Sequence, residues 1–284
     1  MDSVALKRVV LRGSYLLFRR YLQHRVAIQS AALAFYLLFS VFPLLIFVSA
    51  LLGLLDLDIA AILRALQEVL PREVVALAEA YLTHVGENPS RRLLLFGLVF
   101  SVYFPMRATN TLMQSVRAAY HLGPPRSAVK HMAKTLVYTV LLIAAIALTL
   151  TLMTVGERLL ILAVERLNFP PEAAGLWVWL RFPAAALVGY FALFFLYALS
   201  QDHRQPRGRF WPGALAALGA WLSVSWIYSF YVEHIAHYSA LYGSIGTIIV
   251  LMVWLNLSAV ILILGAELNG VLGSLRREWL EAGG

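Results

Sequence analysis

Along this chain, long apolar runs alternate with short connections that carry nearly all the charge. Six such runs cover residues 31–55, 93–106, 135–155, 177–200, 210–232 and 244–268. Most reach the roughly 20 residues that an α-helix needs to cross a hydrocarbon core. A backbone in lipid must satisfy its own hydrogen bonds, so these runs predict helices. The expected fold is all-α: a polytopic membrane bundle of six transmembrane helices. The second run is the shortest, and Pro105 interrupts it before a more polar helical pattern resumes at Ala108, which predicts a broken or kinked helix continuing past the membrane.

The connections predict further helices. Within 56–92, Asp58 caps a segment with Ile62, Leu66, Val69 and Leu70 on one side. Pro71 then opens a second, with Val74, Ala78, Tyr81 and Val85 inward. Together they read as an outer amphipathic cap, with a shorter helix over 157–167 in the next outer loop. Residues 1–28 read as a basic amphipathic helix, with Arg8, Arg12 and Arg19 on one face and Leu6, Val10, Leu17 and Tyr21 opposite. The remaining division is a membrane domain over 29–270 and a tail over 271–284.

Charge orients the bundle. Lys7, Arg8, Arg12, Arg19, Arg20 and Arg25 precede the first span against Asp2 alone, and 107–134 holds five bases and no acid. The intervening 56–92 has six acids and four bases. The alternation continues to the end of the chain and places both termini in the cytoplasm. The net charge of +8 is therefore a topology signal, and nucleic acid is not an expected partner. With 61% hydrophobic residues and 13% charged, the chain is far too apolar for a water-soluble domain. Cysteine is absent, which excludes disulfides, thiolate metal sites and cysteine nucleophiles. No compact apolar leader with a cleavage site precedes the first span.

Ionisable and polar groups inside the spans are the functional candidates, because lipid makes them costly. Arg107 and Glu267 fall at inner span ends, while Arg181 and Glu233 fall on the outer side. Ion pairs Arg107–Glu267 and Arg181–Glu233 are thus expected, one at each mouth, with headgroup snorkelling of either arginine as the alternative. Tyr36 and Ser40, one turn apart, with Pro43, Asn110, Asn256 and Asn269, complete a candidate substrate path. Interhelical hydrogen bonding is the plainer role for the amides. Glu233, His234 and His237 form an E-H-x-x-H run. This is not the order of a zinc protease and no third ligand is evident, so no metal or other cofactor is expected. No phosphate-cradling glycine loop or nucleophile elbow occurs either, and the chain is not expected to be an enzyme.

Several motifs carry a resemblance: Gln29-Ser-Ala-Ala-Leu-Ala-Phe-Tyr-Leu-Leu-Phe-Ser-Val-Phe-Pro43, Arg209-Phe-Trp-Pro-Gly-Ala214, Tyr242-Gly-Ser-Ile-Gly-Thr, Trp254-Leu-Asn-Leu-Ser258 and Leu264-Gly-Ala-Glu-Leu-Asn269. Together they resemble the YihY/BrkB-type bacterial inner-membrane family over nearly the whole chain. Asn256, where an aromatic is expected, and Tyr103-Phe-Pro-Met-Arg107, where relatives often carry smaller residues, depart from its pattern. The resemblance implies six spans and a multi-pass protein of the bacterial inner membrane. Members have been labelled as a tRNA-processing ribonuclease, as serum-resistance factors and as transporters, including for envelope lipids. The functional expectation is a transporter or flippase of a lipid or other amphiphile. A structural scaffold of the envelope is the alternative, and a membrane enzyme comes third. Membrane lipids are the expected partners, with anionic headgroups at the N-terminal helix, and a homo-oligomer is compatible with the small-residue spacings.

Overall fold

The computed structural model describes residues 3–54, 79, 91–125, 127–154, 172–201, 210–234 and 244–282. Among these, seven helices and no strand occur: α1 (Ser3–Gln23), α2 (Val26–Leu54), α3 (Arg91–Ala119), α4 (Ala128–Thr154), α5 (Glu172–Leu199), α6 (Trp211–His234) and α7 (Ser244–Ala282). Helices α2 to α7 fall on the six expected spans in order. Five of them, α2, α4, α5, α6 and α7, contain stretches long and apolar enough to cross a membrane. Helix α3 carries the second expected span. It runs as one helix from Arg91 to Ala119 with Pro105 inside it, so of the expected broken or kinked helix the break is absent and the continuation past the apolar run is present. The outer cap over 56–92, apart from residues 79, 91 and 92, and the helix over 157–167 lie outside the described residues.

The chain forms two compact units. The first comprises Met1–Leu38, Met106–Tyr138 and Leu193–Gly284; the second comprises Phe39–Pro105 and Thr139–Ala192. Helices α2, α3, α4 and α5 contribute residues to both, whereas α1, α6 and α7 belong to the first alone. In the second unit, Gly97 of α3 meets the backbone of Phe47 in α2, leaving no room for a Cβ. The Phe39 and Phe104 rings lie 6.0 Å apart beside this contact.

Both units expose large apolar side chains, while the interior of the first mixes small hydroxyls with apolar residues such as Leu33, Met113, Leu196 and Ile263. Phe96, Val99, Val140, Ile146, Phe182 and Trp226 are exposed, whereas Ser30, Ser101, Thr109, Ser115, Thr135 and Thr139 are buried. Lipid explains the first set, because it is as apolar as these side chains. The second set is inexpensive to bury when a hydroxyl bonds back to its own helix. Ser30 donates to the Ala27 carbonyl, Ser101 to Leu98, Ser115 to Thr111 and Thr135 to His131.

Small residues set the closest helix contact of the first unit. Gly213, Ala214 and Ala217 of α6 are buried, as are Gly265, Ala266 and Asn269 of α7. A Cβ at Gly213 would strike the Gly265 carbonyl and the Asn269 amide, and one at Gly265 would strike Ala217 and the Tyr197 hydroxyl. Farther along the same seam, Trp221 donates to Ser258 (3.0 Å), Trp254 to Ser225 (3.3 Å) and Tyr228 to the Val250 carbonyl (2.8 Å). Gly213→Ala is expected to lower stability by about 1–3 kcal/mol, because the nearest obstructing atom is the Gly265 backbone carbonyl and the next are the hydrogen-bonded Asn269 amide. Gly219→Ala, on the same helix with nothing within 4 Å, should be neutral or stabilising. Thermal midpoints in detergent check the pair, and equal midpoints would contradict the close seam.

Candidate functional site

The charged groups of the first unit converge where α1 meets α2, at the end of α3 and on α7. Helix α1 ends in a tight turn: His24 N–H donates to the Arg20 carbonyl at 2.9 Å, and Arg25 takes a left-handed φ of 50°. Helix α3 ends alike, with His121 at φ 54° and its N–H 2.9 Å from the Ala118 carbonyl. These are the only non-glycine residues with positive φ among the described ones. Such conformations cost energy and persist where surrounding contacts fix them. Here the turns place His24 and His121 with ring centroids 5.9 Å apart.

Glu267 of α7 lies beneath these turns and is completely buried. Its Oε1 is 2.5 Å from Nδ1 of His24, and since an ionised carboxylate only accepts, the imidazole supplies the proton. Its Oε2 makes no hydrogen bond and stands 3.7 Å from the Arg20 guanidinium. Arg20 is itself buried and spends its other donors on the Ala119 carbonyl (3.2 Å) and the Ser274 hydroxyl (2.8 Å). Gly270 makes room, because a Cβ there would collide with both Arg20 and the Ala119 carbonyl. Burial works against the Arg20 charge, Glu267 counters it and Arg277 adds repulsion. The His121 pKa is lowered, chiefly by burial and then by the charges of Arg20, His24 and Arg277. Tyr120, next along, has a buried hydroxyl without a hydrogen-bond partner and a raised pKa for the same first reason.

Two more polar contacts tie the elements of this unit together. Asn269, one turn before Gly273, accepts from the Gly213 N–H at 2.7 Å and donates to the Phe210 carbonyl at 3.0 Å, so it caps α6 from α7. Arg117 donates to the carbonyls of Ser200 (3.0 Å) and Gly123 (2.7 Å), and Lys134 donates to the Gln201 carbonyl (3.1 Å). Both cations serve the C-terminal end of α5, where a helix is short of donors.

Of the expected path, the structure brings Tyr36 and Arg107 together: the guanidinium donates to the phenol at 3.3 Å and its carbon lies 5.4 Å from the ring centre. Asn110 pairs with His131 at 2.8 Å. The residues facing Glu267 are Arg20 and His24, whereas Arg107 is exposed and placed against Tyr36. Asn256 is half-buried on α7. Ser40 and Pro43 on α2, and Arg181 on α5, belong to the second unit. Arg181 Nε is buried without a hydrogen-bond partner, and the guanidinium lies 5.1 Å from the Phe182 ring centre. His234 stacks on Phe230 and reaches that residue's carbonyl at 3.0 Å. The Glu233 side chain and His237 lie outside the described residues, so the Arg181–Glu233 pair and the E-H-x-x-H run do too. Among the described residues, no three His, Asp or Glu side chains are grouped to hold a metal ion.

Sequence reasoning selected Glu267 and missed its partners. Arg20 was one of several topology-setting bases, and His24 carried no motif. The available signal was the carboxylate itself: a buried anion near a span end requires cations, and the basic N-terminal segment is one source of them on the side to which loop charge assigns that end.

Two outcomes follow. Arg20→Leu is expected to cost about 3–5 kcal/mol by leaving Glu267 uncompensated, and Arg20→Leu with Glu267→Leu to cost less than the sum of the singles. Thermal midpoints of the three variants decide this, and additivity would refute the pairing. His121 should titrate below its usual 6.5 in labelled-histidine NMR of the folded protein. The unfolded chain then binds the proton more readily, so this group withdraws stability as pH falls through 6.5 and ceases to do so below the folded pKa. His121→Asn, which tolerates the left-handed turn, should remove that component.

Comparison with known proteins places the chain. The sequence profile described as "Virulence factor BrkB" matches residues 17–281. The ribonuclease-like protein YfkH of Bacillus subtilis is 32% identical over 256 residues, covering 90% of this chain and 93% of that protein. A UPF0761 membrane protein of Pelodictyon phaeoclathratiforme is 26% identical over 274 residues, 91% of this chain and 59% of its own length. One from Chromohalobacter salexigens is 27% identical over 283 residues, 95% of this chain and 66% of its own. The chain thus spans nearly all of the Bacillus relative and about three-fifths of the Pelodictyon one. No solved structure matches. The apolar helices and these relatives together identify a multi-pass bacterial membrane protein, and the chain belongs to the BrkB family.

Proposed function

We propose that this protein transports or flips a lipid or other amphiphile, and that the Arg20–Glu267–His24 cluster receives an anionic headgroup. One observation carries the reading. A single buried carboxylate, half of it lacking a hydrogen bond, balances a set of cationic and protonatable groups formed by Arg20, His24, His121 and Arg277. A phosphate headgroup offers several acceptors, so it can meet the further cationic and protonatable groups of this set, His121 and Arg277, while Glu267 stays on Arg20. Arg107, exposed beside Tyr36, supplies a second cation in the same unit.

A scaffold role is the second reading. It rests on Asn269 and Arg117, which are committed to helix ends and so fix the bundle instead of opening it. The ribonuclease-like name of the Bacillus relative is not extended to this chain. The cluster holds one carboxylate among cations, the opposite of a set that would bind a divalent metal against a phosphodiester.

Full-length protein in liposomes with fluorescent anionic lipid tests the transport reading. Lipid should move between leaflets in protein-containing vesicles. Glu267→Gln and Arg107→Ala should each change the rate by about tenfold, the scale of a lost interaction of about 1.4 kcal/mol. Absence of movement for every lipid tried, with both variants matching wild type in cells, would refute it.

A further inference from the structure

Helix α1 presents two unlike faces. Toward α7, Gly13 approaches the Leu275 side chain, Arg20 donates to Ser274, and Arg12 pairs with Glu278 at 2.8 Å. On another face, Leu11, Tyr15, Phe18 and Leu22 follow one another at spacings of four, three and four. They form a continuous helical stripe, and each is 60–69% exposed. Leu17 and Tyr21 of the expected apolar face are half-buried, and a different apolar stripe is left uncovered.

Isolated exposed hydrophobics are ordinary, but four in one stripe mark a contact surface. Charge and connectivity say what meets it. Helix α1 carries Lys7, Arg8, Arg12, Arg19 and Arg20 and no acid. Arg12 and Arg19 are exposed on the flank of the stripe. A second copy docked stripe to stripe would bring like charges together, whereas an anionic surface would gain from them. The stripe also ends at Leu22, four residues before the apolar stretch beginning at Val26 that is able to cross the membrane. Its N-terminal side is the one that the distribution of loop charges assigns to the cytoplasm.

We propose that the Leu11/Tyr15/Phe18/Leu22 stripe is a lipid-docking surface, inserted at the headgroup boundary of the cytoplasmic leaflet, with Arg19 on anionic headgroups. This does not depend on transport: a scaffold would dock in the same way. It adds a second hold on α1, opposite the one that Glu267 exerts through Arg20.

The absence of cysteine allows a direct test. Leu11→Cys and Phe18→Cys, with exposed Gln23→Cys as control, are spin-labelled in the full-length protein. Each is placed in nanodiscs of phosphatidylethanolamine with phosphatidylglycerol, and in discs of phosphatidylcholine alone. In anionic discs the two stripe labels should be open to oxygen and shielded from a water-soluble nickel complex, and Gln23 should show the reverse. Arg19→Gln should weaken that insertion about fivefold, the effect of one basic residue at an anionic surface. Three results would overturn the proposal: stripe labels as open to nickel as Gln23, spin–spin broadening that reveals a second copy on the stripe, or equal insertion in neutral discs.

Discussion

A carboxylate removed from water loses several kcal/mol of hydration, and it stays ionised only if cations and donors are brought to it. Glu267 imposes that demand on three helices. Helix α1 must end where Arg20 and His24 reach the carboxylate, which sets the turn through Arg25. Helix α3 must stop where its Ala119 carbonyl can share Arg20. Helix α7 must carry glycine at 270, because the guanidinium and that carbonyl fill the space a side chain would take. The pieces are individually unfavourable: two left-handed non-glycine residues, a buried arginine and a buried glutamate. They hold together because each compensates another, which is the condition under which strained geometry persists.

The same demand, for weaker dipoles, governs the rest of the first unit. Water is unavailable along membrane-crossing helices, so backbone groups at helix ends need internal partners. Asn269 supplies them to α6, while Arg117 and Lys134 supply them to the end of α5. Close approach at the α6–α7 seam brings Asn269 within reach of Gly213, and that approach is permitted by Gly213 and Gly265 having no side chain. Two of the sequence motifs, around 209–214 and 264–269, are thus the two halves of one contact. Glu267 and Asn269 sit two residues apart within the second motif but point to different tasks, one toward α1 and the other toward α6.

Much of this architecture is legible in the sequence, for physical reasons. Length and apolarity locate helices because lipid leaves the backbone few alternatives, and α2 to α7 coincide with the expected runs. Glu267 is recognisable because charge is rare in such runs. Its partners are not, since charge distribution gives the side of the membrane on which a residue lies but not its direction around the bundle. Arg107 and Arg20 are equivalent by that measure. Azimuth depends on how α1 packs, which here is decided by Gly13 and Arg20 against α7. The same gap hides the uncovered apolar stripe of α1. A helical wheel weighs hydrophobicity alone, while the fold buries Arg20 for its charge and leaves Leu11 and Phe18 outward.

Arg20 and Arg107 show how burial divides one chemistry into two roles. Arg107 keeps its charge in an exposed position and rests on the Tyr36 ring, a contact worth about 0.5–1 kcal/mol at such sites. Arg20 is held by a carboxylate, a carbonyl and a hydroxyl, and it cannot leave without stranding Glu267. Any anion that competes for Arg20 must therefore match the charge of the carboxylate it faces. It must also shift α1, because Arg20 is that helix's deepest anchor. A ligand at the cluster and a lipid surface on the opposite face of α1 would then act on the same rigid element, each felt by the other through a single helix.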